Sequence, residues 1–412
     1  MLENKTVLIG VTGGIAAYKI CYLVSRLVRE GAEVHVLMTE NACQFVNPLT
    51  FETLSQNRCI VDTFDRNHPM EVEHVALAKK ADLFMIAPAT ANVIARTANG
   101  LADDMLTTTF LACDCPKIVV PAMNTRMYEN PITQANLSRL EEFGIQVVKP
   151  NTGHLACGDT GAGKMPEPDT LYQYIEREIA REKDMTGMRV LVTAGATQEA
   201  IDPVRFITNH STGKMGFAVA RECMLRGADV IIVQGQVSAE EPPFCHVVHA
   251  TSAADMYREV TRRSLLADVI VMAAAVSDFT PLTTYDQKVK KQEGMVSIEL
   301  RRTMDILARL GETRHEGQFL CGFSMETENL IENSQKKLEK KHVDMIVANN
   351  LKVAGAGFGT DTNVVTLITE NGVEPLEKMT KGEVASAIVN RIVASRMAQA
   401  HVEAVARQKE DQ

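Results

Sequence analysis

Residues 5–19 read KTVLIGVTGGIAAYK. The apolar, β-branched run Lys5–Val11 ends at Gly13-Gly14, apolar residues at helical spacing follow over Ile15–Glu30, and Glu33–Met38 returns to strand character. This predicts a βαβ opening. The pattern restarts at residues 188–195, MRVLVTAG, with a strand over Met188–Thr193, then Gly195. A helix over Ser211–Arg226, the stop Gly227 and a strand over Asp229–Val233 follow. Gly31-Ala-Glu-Val and Gly227-Ala-Asp-Val mark analogous helix-to-strand junctions, an identity too short to establish a duplication. Further strand candidates are Asp82–Ala87, Lys117–Val120, Ile145–Val148, Asp268–Met272, Phe319–Phe323, Asp344–Val347 and Val364–Ile368, separated by helical segments. That alternation predicts an α/β protein of two Rossmann-like three-layer domains with mainly parallel sheets. Ligands are expected at strand C-termini.

The 412 residues exceed one ordinary domain, and two domains of about 200 residues are expected. The polar, glycine-ended stretch Arg181–Gly187 suits a linker, which divides the chain into domains 1–187 and 188–412. The 45% hydrophobic and 23% charged residues exclude long-range disorder. Lys+Arg 43 against Asp+Glu 52 leaves a net charge of −9, which disfavours a duplex nucleic acid or an anionic membrane as the main partner. Nine cysteines, odd in number and without a C-x-x-C pair, read as reduced intracellular thiols. The N-terminus reads as a strand rather than a signal peptide, and no stretch is long enough to span a bilayer, so a soluble cytoplasmic protein is expected.

In the first half, Gly13-Gly14 precedes a helix whose N–H groups could hold a phosphate, although a tight turn explains it equally well. It is not a G-x-G-x-x-G turn. Residues 158–165, GDTGAGKM, imitate the spacing of a phosphate-binding P-loop, yet Met165 replaces the required hydroxyl and Pro166 follows, so that reading is rejected. The surrounding Lys149–Asp169 holds too many glycines and prolines for a regular element and reads as a mobile lid carrying Cys157, a thiol that could be delivered to a substrate. Asn124, after the strand Lys117–Val120, can hydrogen-bond a carboxylate or simply form an Asx turn. His74, early in a helix, is suited to proton transfer or to a structural role. Pro88-Ala-Thr-Ala-Asn92 offers small and hydroxyl side chains beside which a planar cofactor can approach the backbone. Cys113-Asp-Cys115 lacks the histidine or second pair that would complete a metal site and reads as structural.

Residues 13–19 (GGIAAYK), His74, residues 87–92 (APATAN), residues 121–127 (PAMNTRM) and residues 155–165 (LACGDTGAGKM) together resemble the homo-oligomeric FMN-containing cysteine decarboxylases, over about 180 residues. Within them the sequence looks most like the phosphopantothenoylcysteine decarboxylases. The resemblance implies a catalytic His74, Asn124 on the substrate carboxylate, and Cys157 on a flap as proton donor in a final reduction. It also implies FMN contacts from Gly13, Gly14, Thr39, Pro88, Thr90 and Asn92. A saturated carbon cannot shed CO2, and transient oxidation of the cysteinyl CH2–SH to a thioaldehyde provides the missing electron sink. Tyr128 and Lys164 depart from the family pattern, where tryptophan and arginine are commoner, and lysine cannot form arginine's bidentate fork.

In the second half, residues 207–216 (ITNHSTGKMG) place polar groups at the start of a helix, as a phosphate site or a plain helix cap would. Asp278 follows the strand Asp268–Met272. Lys288-Val-Lys290-Lys291 is a basic cluster that a solvated loop explains as well as a polyphosphate does, unless Lys337 and Lys341, four apart on a helix over Glu326–Lys341, converge on it. With Gly195-Ala-Thr, Asp305-Ile306-Leu307 and Gly322-Phe323, these segments resemble phosphopantothenate–cysteine ligases over about 220 residues. The resemblance implies that the 4′-phosphopantothenate carboxylate attacks CTP, and that cysteine then captures the acyl-cytidylate. It implies CTP contacts from Asp278, Lys288, Asp305, Ile306, Leu307, Phe323, Lys337 and Lys341, and an Asn209 that holds the acyl intermediate. Lys288 is suited to neutralise charge at the α-phosphate. Mg2+ is expected mainly on the CTP phosphates, with no protein ligand assigned. Ser277, Thr280 and Ser324-Met325 differ from the commoner family residues.

The family implies trimer-based decarboxylase units with FMN between subunits and dimeric ligase units, hence a homo-oligomer as large as a dodecamer. Three rival readings fit the sequence less well. A peptide-cysteine decarboxylase has no need of the second domain. A non-enzymatic relative could lose His74 or Cys157, both present here. A dehydrogenase requires the G-x-G-x-x-G turn that neither half supplies.

Overall fold

The computed structural model describes residues 2–64, 72–155, 158–290, 297–326, 329–350, 357 and 359–410. Two compact units, Met1–Arg181 and Glu182–Gln412, make up the chain.

In the first unit the strand Thr6–Val11 is buried along its whole length. Val7, Ile9 and Val11 enter one apolar cluster and Leu8 enters another, so alternate side chains feed cores on both faces of the sheet. The helix Ala17–Arg29 covers one face with Ile20, Leu23, Val24 and Leu27, and Glu33–Met38 returns parallel to the first strand. The five strands lie in the order Glu33–Met38, Thr6–Val11, Leu83–Ala89, Lys117–Pro121, Gln146–Val147, all parallel. The first strand thus connects outward on one side and has its other neighbour supplied by the third. Such a switch point opens a crevice at the strand C-termini. Gly13-Gly14 and Thr90 lie just beyond those ends.

The expectation that Lys149–Asp169 holds no regular element is corrected here. Residues 151–164 form a regular antiparallel hairpin, Asn151–His154 against Thr160–Lys164, with an irregularity after Asn151. Glycines at positive φ, Gly158 at 90° and Gly163 at 130°, are what let this breaker-rich stretch keep a ladder. Cys157 lies outside the described residues.

In the second unit eight strands lie in the order His246–His249, Asp229–Gln234, Arg189–Ala194, Val269–Met272, Phe319–Glu326, Met345–Asn350, Val365–Thr369, Gly372–Pro375. The first six are parallel, and the last two close the sheet antiparallel. Val190 and Val192 feed one core and Leu191 the opposite one. The switch point falls between Arg189–Ala194 and Val269–Met272. The helix expected from Glu326 begins instead at Leu330, because the strand before it runs on through Glu326 in register with Asn350.

Candidate functional site

In the first unit the crevice is a cavity of about 770 Å3 whose walls include Gly13, Gly14, Thr90, Ala122, Asn124 and Lys164. A second hollow of about 550 Å3 shares Gly13 and Thr90 with it and adds Thr39 and Asn92. Five of the six residues expected around a flavin therefore line adjoining space. Pro88 is buried and does its work from behind. Its carbonyl accepts from Thr12 Oγ1 at 2.7 Å, and the same oxygen of Thr12 accepts from the Thr90 amide at 3.1 Å. Thr90 then caps the helix Ala91–Ala98 through Val93.

Asn124 caps the short helix Thr125–Tyr128, its Oδ1 accepting from the amides of Arg126 at 2.9 Å and Met127 at 3.3 Å. The oxygen thus serves the turn. Nδ2 lies 3.4 Å from the Asp159 carboxylate on the hairpin, so a carboxylate already occupies part of the position assigned to a substrate's. The hairpin is seated over the crevice floor by the Met123 amide, which donates to the Gly163 carbonyl at 3.1 Å. Lys19 and Lys164 both approach Glu167, at 2.7 and 4.0 Å. His74, half-buried on the helix Glu73–Lys80, lines neither hollow. His154, which sequence reasoning missed, does line the larger one.

A planar ring fits this crevice. A methyl group placed on Gly14 would meet nothing nearer than Pro88 Cγ at 3.9 Å, so the wall is open there to something flat, and Ala16, Ala91, Ala122 and Met123 continue it with small or apolar groups.

In the second unit a cavity of about 400 Å3 gathers Asn209, Asp278, Phe323 and Lys337. Asn209 Nδ2 donates to the Ala275 carbonyl at 3.1 Å, and Lys337 Nζ donates to Ser324 Oγ at 3.0 Å. Lys341 pairs with Asp305 at 3.1 Å, beyond this lining. Burial pushes the Asp305 carboxyl up, but the Ala308 amide and Lys341 outweigh it and hold the group below the usual carboxylate range. Ile306 is buried in the core, so its backbone alone could reach a ligand, and Leu307 packs against Gly322. Lys288 is exposed on the loop after Pro281 and is not part of the cavity wall.

Sequence reasoning missed Lys381, Asn349 and Asn363, and passed over the side chain of Lys214, all of which line this cavity. Lys381 opens the last helix, is 6% exposed, and donates to the Gly357 carbonyl at 3.2 Å. Burial, followed by the neighbouring Lys214 ammonium, pushes its pKa down, against the pull of Asp361. Lys214 pairs with Asp361 at 2.6 Å.

Comparison with known proteins assigns both halves. Residues 1–180 match the Flavoprotein family, and residues 185–396 match the DNA/pantothenate metabolism flavoprotein C-terminal domain. The coenzyme A biosynthesis bifunctional protein CoaBC of Bacillus subtilis (strain 168) is 47% identical over 398 residues, 96% of this chain and 98% of that protein. The chain belongs to the CoaBC family. The CoaBC of Haemophilus influenzae is 39% identical over 392 residues, 95% of this chain and 98% of its own. A crystal structure of the C-terminal domain of a CoaBC protein is similar to 52% of this chain and 98% of its own, with 39% identity and a TM-score of 0.45. As a CoaBC protein, the chain is a bifunctional decarboxylase and ligase of coenzyme A biosynthesis. Among the described residues no helix is long and apolar enough to cross a membrane.

Proposed function

We propose that domain 188–412 couples cysteine to 4′-phosphopantothenate at the expense of CTP, and that domain 1–187 uses FMN to decarboxylate the product to 4′-phosphopantetheine. One observation carries the reading. In each unit several of the residues named from the family motifs line the switch-point crevice, Gly13, Gly14, Thr90 and Asn124 in one and Asn209, Asp278, Phe323 and Lys337 in the other, while His74, Lys288, Asp305 and Lys341 do not.

In the ligase half a carboxylate oxygen of 4′-phosphopantothenate bonds to the α-phosphorus of CTP and the bond to the β-phosphate breaks, releasing pyrophosphate. The cysteine amine then bonds to the acyl carbon and CMP leaves. Phe323 and Asp278 hold the nucleotide, Lys337 faces its charge, and Asn209 orients the acyl group by its side-chain amide. Lys288 meets the α-phosphate from the loop that carries it, where a fixed ammonium neutralises developing charge. Mg2+ enters with the triphosphate.

In the decarboxylase half Gly13, Gly14, Thr39, Thr90 and Asn92 hold FMN, with Pro88 fixing Thr90. Bound FMN supplies a reversible two-electron oxidation of the cysteinyl side chain. The Asn124 amide nitrogen holds the departing carboxylate once the substrate displaces Asp159. Cys157 supplies a proton for the final reduction. His74 is the residue that transfers a proton at the substrate. This reading makes the enzyme a cytoplasmic homo-oligomer, trimeric through its flavin units and dimeric through its ligase units, up to a dodecamer.

The test is to supply the purified chain with 4′-phosphopantothenate, cysteine, CTP and MgCl2, and to follow pyrophosphate and CO2 separately. A yellow protein that forms both is expected. Pyrophosphate release that does not depend on 4′-phosphopantothenate, or CO2 release by a flavin-free preparation, would contradict the assignment.

A further inference from the structure

The cavity of the second unit is more cationic than the motif residues require. Its described lining includes three lysines, Lys214, Lys337 and Lys381, against the single carboxylate of Asp278. Lys337 stands with Ser324 of the strand Phe319–Glu326. Lys214 and Lys381 are each the first residue of a long helix, Lys214–Leu225 and Lys381–Glu410. The two helices share one core, Val219 and Ala220 of the first with Val384, Ala385 and Ile388 of the second, which brings their N-terminal ends to the same wall. Two ammonium groups and two helix N-termini therefore face one region of the cavity.

Such an arrangement is costly without an anion. A lysine nine-tenths buried is rare unless compensated, and here a second ammonium adds repulsion that Asp361 offsets only in part. Asn349 gives an independent sign of a ligand. It lines the same cavity, is 4% exposed, and its Oδ1 has no hydrogen-bond partner among the described residues, so it calls for an N–H or O–H donor, which a nucleotide carries on its base and ribose rather than on its phosphates.

We propose that Lys381, with Lys214, seats the terminal phosphates of the nucleoside triphosphate, the part that leaves as pyrophosphate. The inference rests on the reading of this cavity as the CTP site and adds to it a residue from outside the motifs. The most highly charged portion of the ligand lies where ammonium groups and helix dipoles coincide, and Lys337 is left to the rest of the nucleotide.

Calorimetric titration of the full chain with CTP, CMP and inorganic pyrophosphate, each with MgCl2, tests it. Lys381→Met is expected to weaken CTP and pyrophosphate by about tenfold or more, the scale of a lost charge-assisted contact, and to leave CMP within about twofold. Lys381→Arg restores most of the CTP affinity. Steady-state ligation should show the loss in KM for CTP and not in KM for 4′-phosphopantothenate. Equal weakening of CTP and CMP would mark a structural role and overturn the inference. Should Lys381→Met fail to fold by circular dichroism, Lys214→Gln, at a more exposed position, decides, and unchanged CTP affinity there also overturns it. A wild-type chain that binds neither CTP nor CMP would remove the nucleotide reading itself, whereas wild-type binding retained by both variants removes this inference alone.

Discussion

The buried carboxylate of Asp202 accepts the backbone amide of Val289 at 3.1 Å, across 87 positions of the chain. Its other oxygen accepts from the amides of Val204 and Arg205 at 2.8 and 2.9 Å, and Arg205 Nη2 donates to the Val289 carbonyl at 3.0 Å. Both backbone groups of the residue after Lys288 are thus gripped by one turn. Lys288 is exposed, and the loop's geometry is set by this grip rather than by packing of the lysine itself.

Asp202→Asn weakens the grip, because a neutral amide is a poorer acceptor for three N–H donors and presents its own N–H2 to one of them. Ligation is expected to fall between about tenfold and a hundredfold in kcat, the scale of a misplaced reacting group. Decarboxylation of supplied 4′-phosphopantothenoylcysteine should be unaffected. Comparison of the two half-activities in one preparation checks this, and an undiminished ligation rate would show that Lys288 needs no such anchor.

The same carboxylate ties stability to pH. Burial pushes Asp202 up, but the Val204, Val289 and Arg205 amides and the Arg205 guanidinium outweigh it and hold the folded pKa below the usual range. Asp361, through Lys214, and Asp255, through Ser252 and Arg258 against burial, are held down as well. A group whose folded pKa lies below its unfolded value stabilises the fold above the unfolded pKa and loses that contribution as pH falls through the folded one. Urea midpoints of the second unit's transition should therefore hold from neutrality to about pH 5 and decline below about pH 4. Asp202→Asn should flatten the decline, and equal slopes for wild type and variant would exclude Asp202 as a source.

Thr12 is the corresponding anchor of the first unit, fully buried between the Pro88 carbonyl and the Thr90 amide. Thr12→Val keeps the shape and strands both partners, at a cost of about 1–3 kcal/mol for each buried group left unsatisfied. Thermal unfolding should register that loss. If Thr90 contacts the flavin, FMN should also dissociate more readily from the variant, measured by fluorescence of released cofactor. Unchanged flavin affinity would confine Thr12 to stability.

The positions of the strands were legible because buried parallel strands are continuous β-branched runs, and Glu33–Met38 occupies the bounds its pattern predicts. Residues 151–164 were misread because glycine and proline count against local regularity, whereas pairing between the two arms supplies the missing stability. Lys381 was invisible for a different reason. A lysine opening an amphipathic helix reads as solvated, and its burial follows from the packing of Val384 and Ala385 against a helix more than 150 residues earlier in the chain. The oxygen of Asn124 likewise answers to its local cap and its nitrogen to Asp159 on the hairpin, a division no spacing could reveal.

Among the described cysteines, Cys115 is expected to alkylate first. A side-chain hydrogen bond from Cys113 holds its thiol below the usual value despite burial, with help from the Lys117 ammonium. Cys59 is pushed up to about 12, and Cys223 and Cys321 are also raised, each chiefly by burial. Iodoacetamide labelling of a Cys157→Ser chain near neutral pH, read by peptide mass, should mark Cys115 well before these three. Slower labelling in Lys117→Met would follow, and preferential labelling of Cys223 or Cys321 would contradict the argument.

Gly13 and Gly14 separate what the fold needs from what the cofactor needs. A Cβ on Gly13 would lie 2.5 Å from Asn41 Cβ and 3.1 Å from its carbonyl carbon, so the loop behind the crevice must shift. A Cβ on Gly14 would meet only Pro88 Cγ at 3.9 Å, an ordinary contact. Gly13→Ala should therefore lower the melting temperature of the flavin-free chain. Gly14→Ala should leave it within about 0.5 kcal/mol of wild type, as for a substitution without a clash. The order reverses for colour. If FMN lies against the backbone at Gly14, the added methyl group occupies its space, and Gly14→Ala should fold normally yet purify with little flavin absorbance. A yellow, fully loaded Gly14→Ala protein would place the cofactor elsewhere in the crevice.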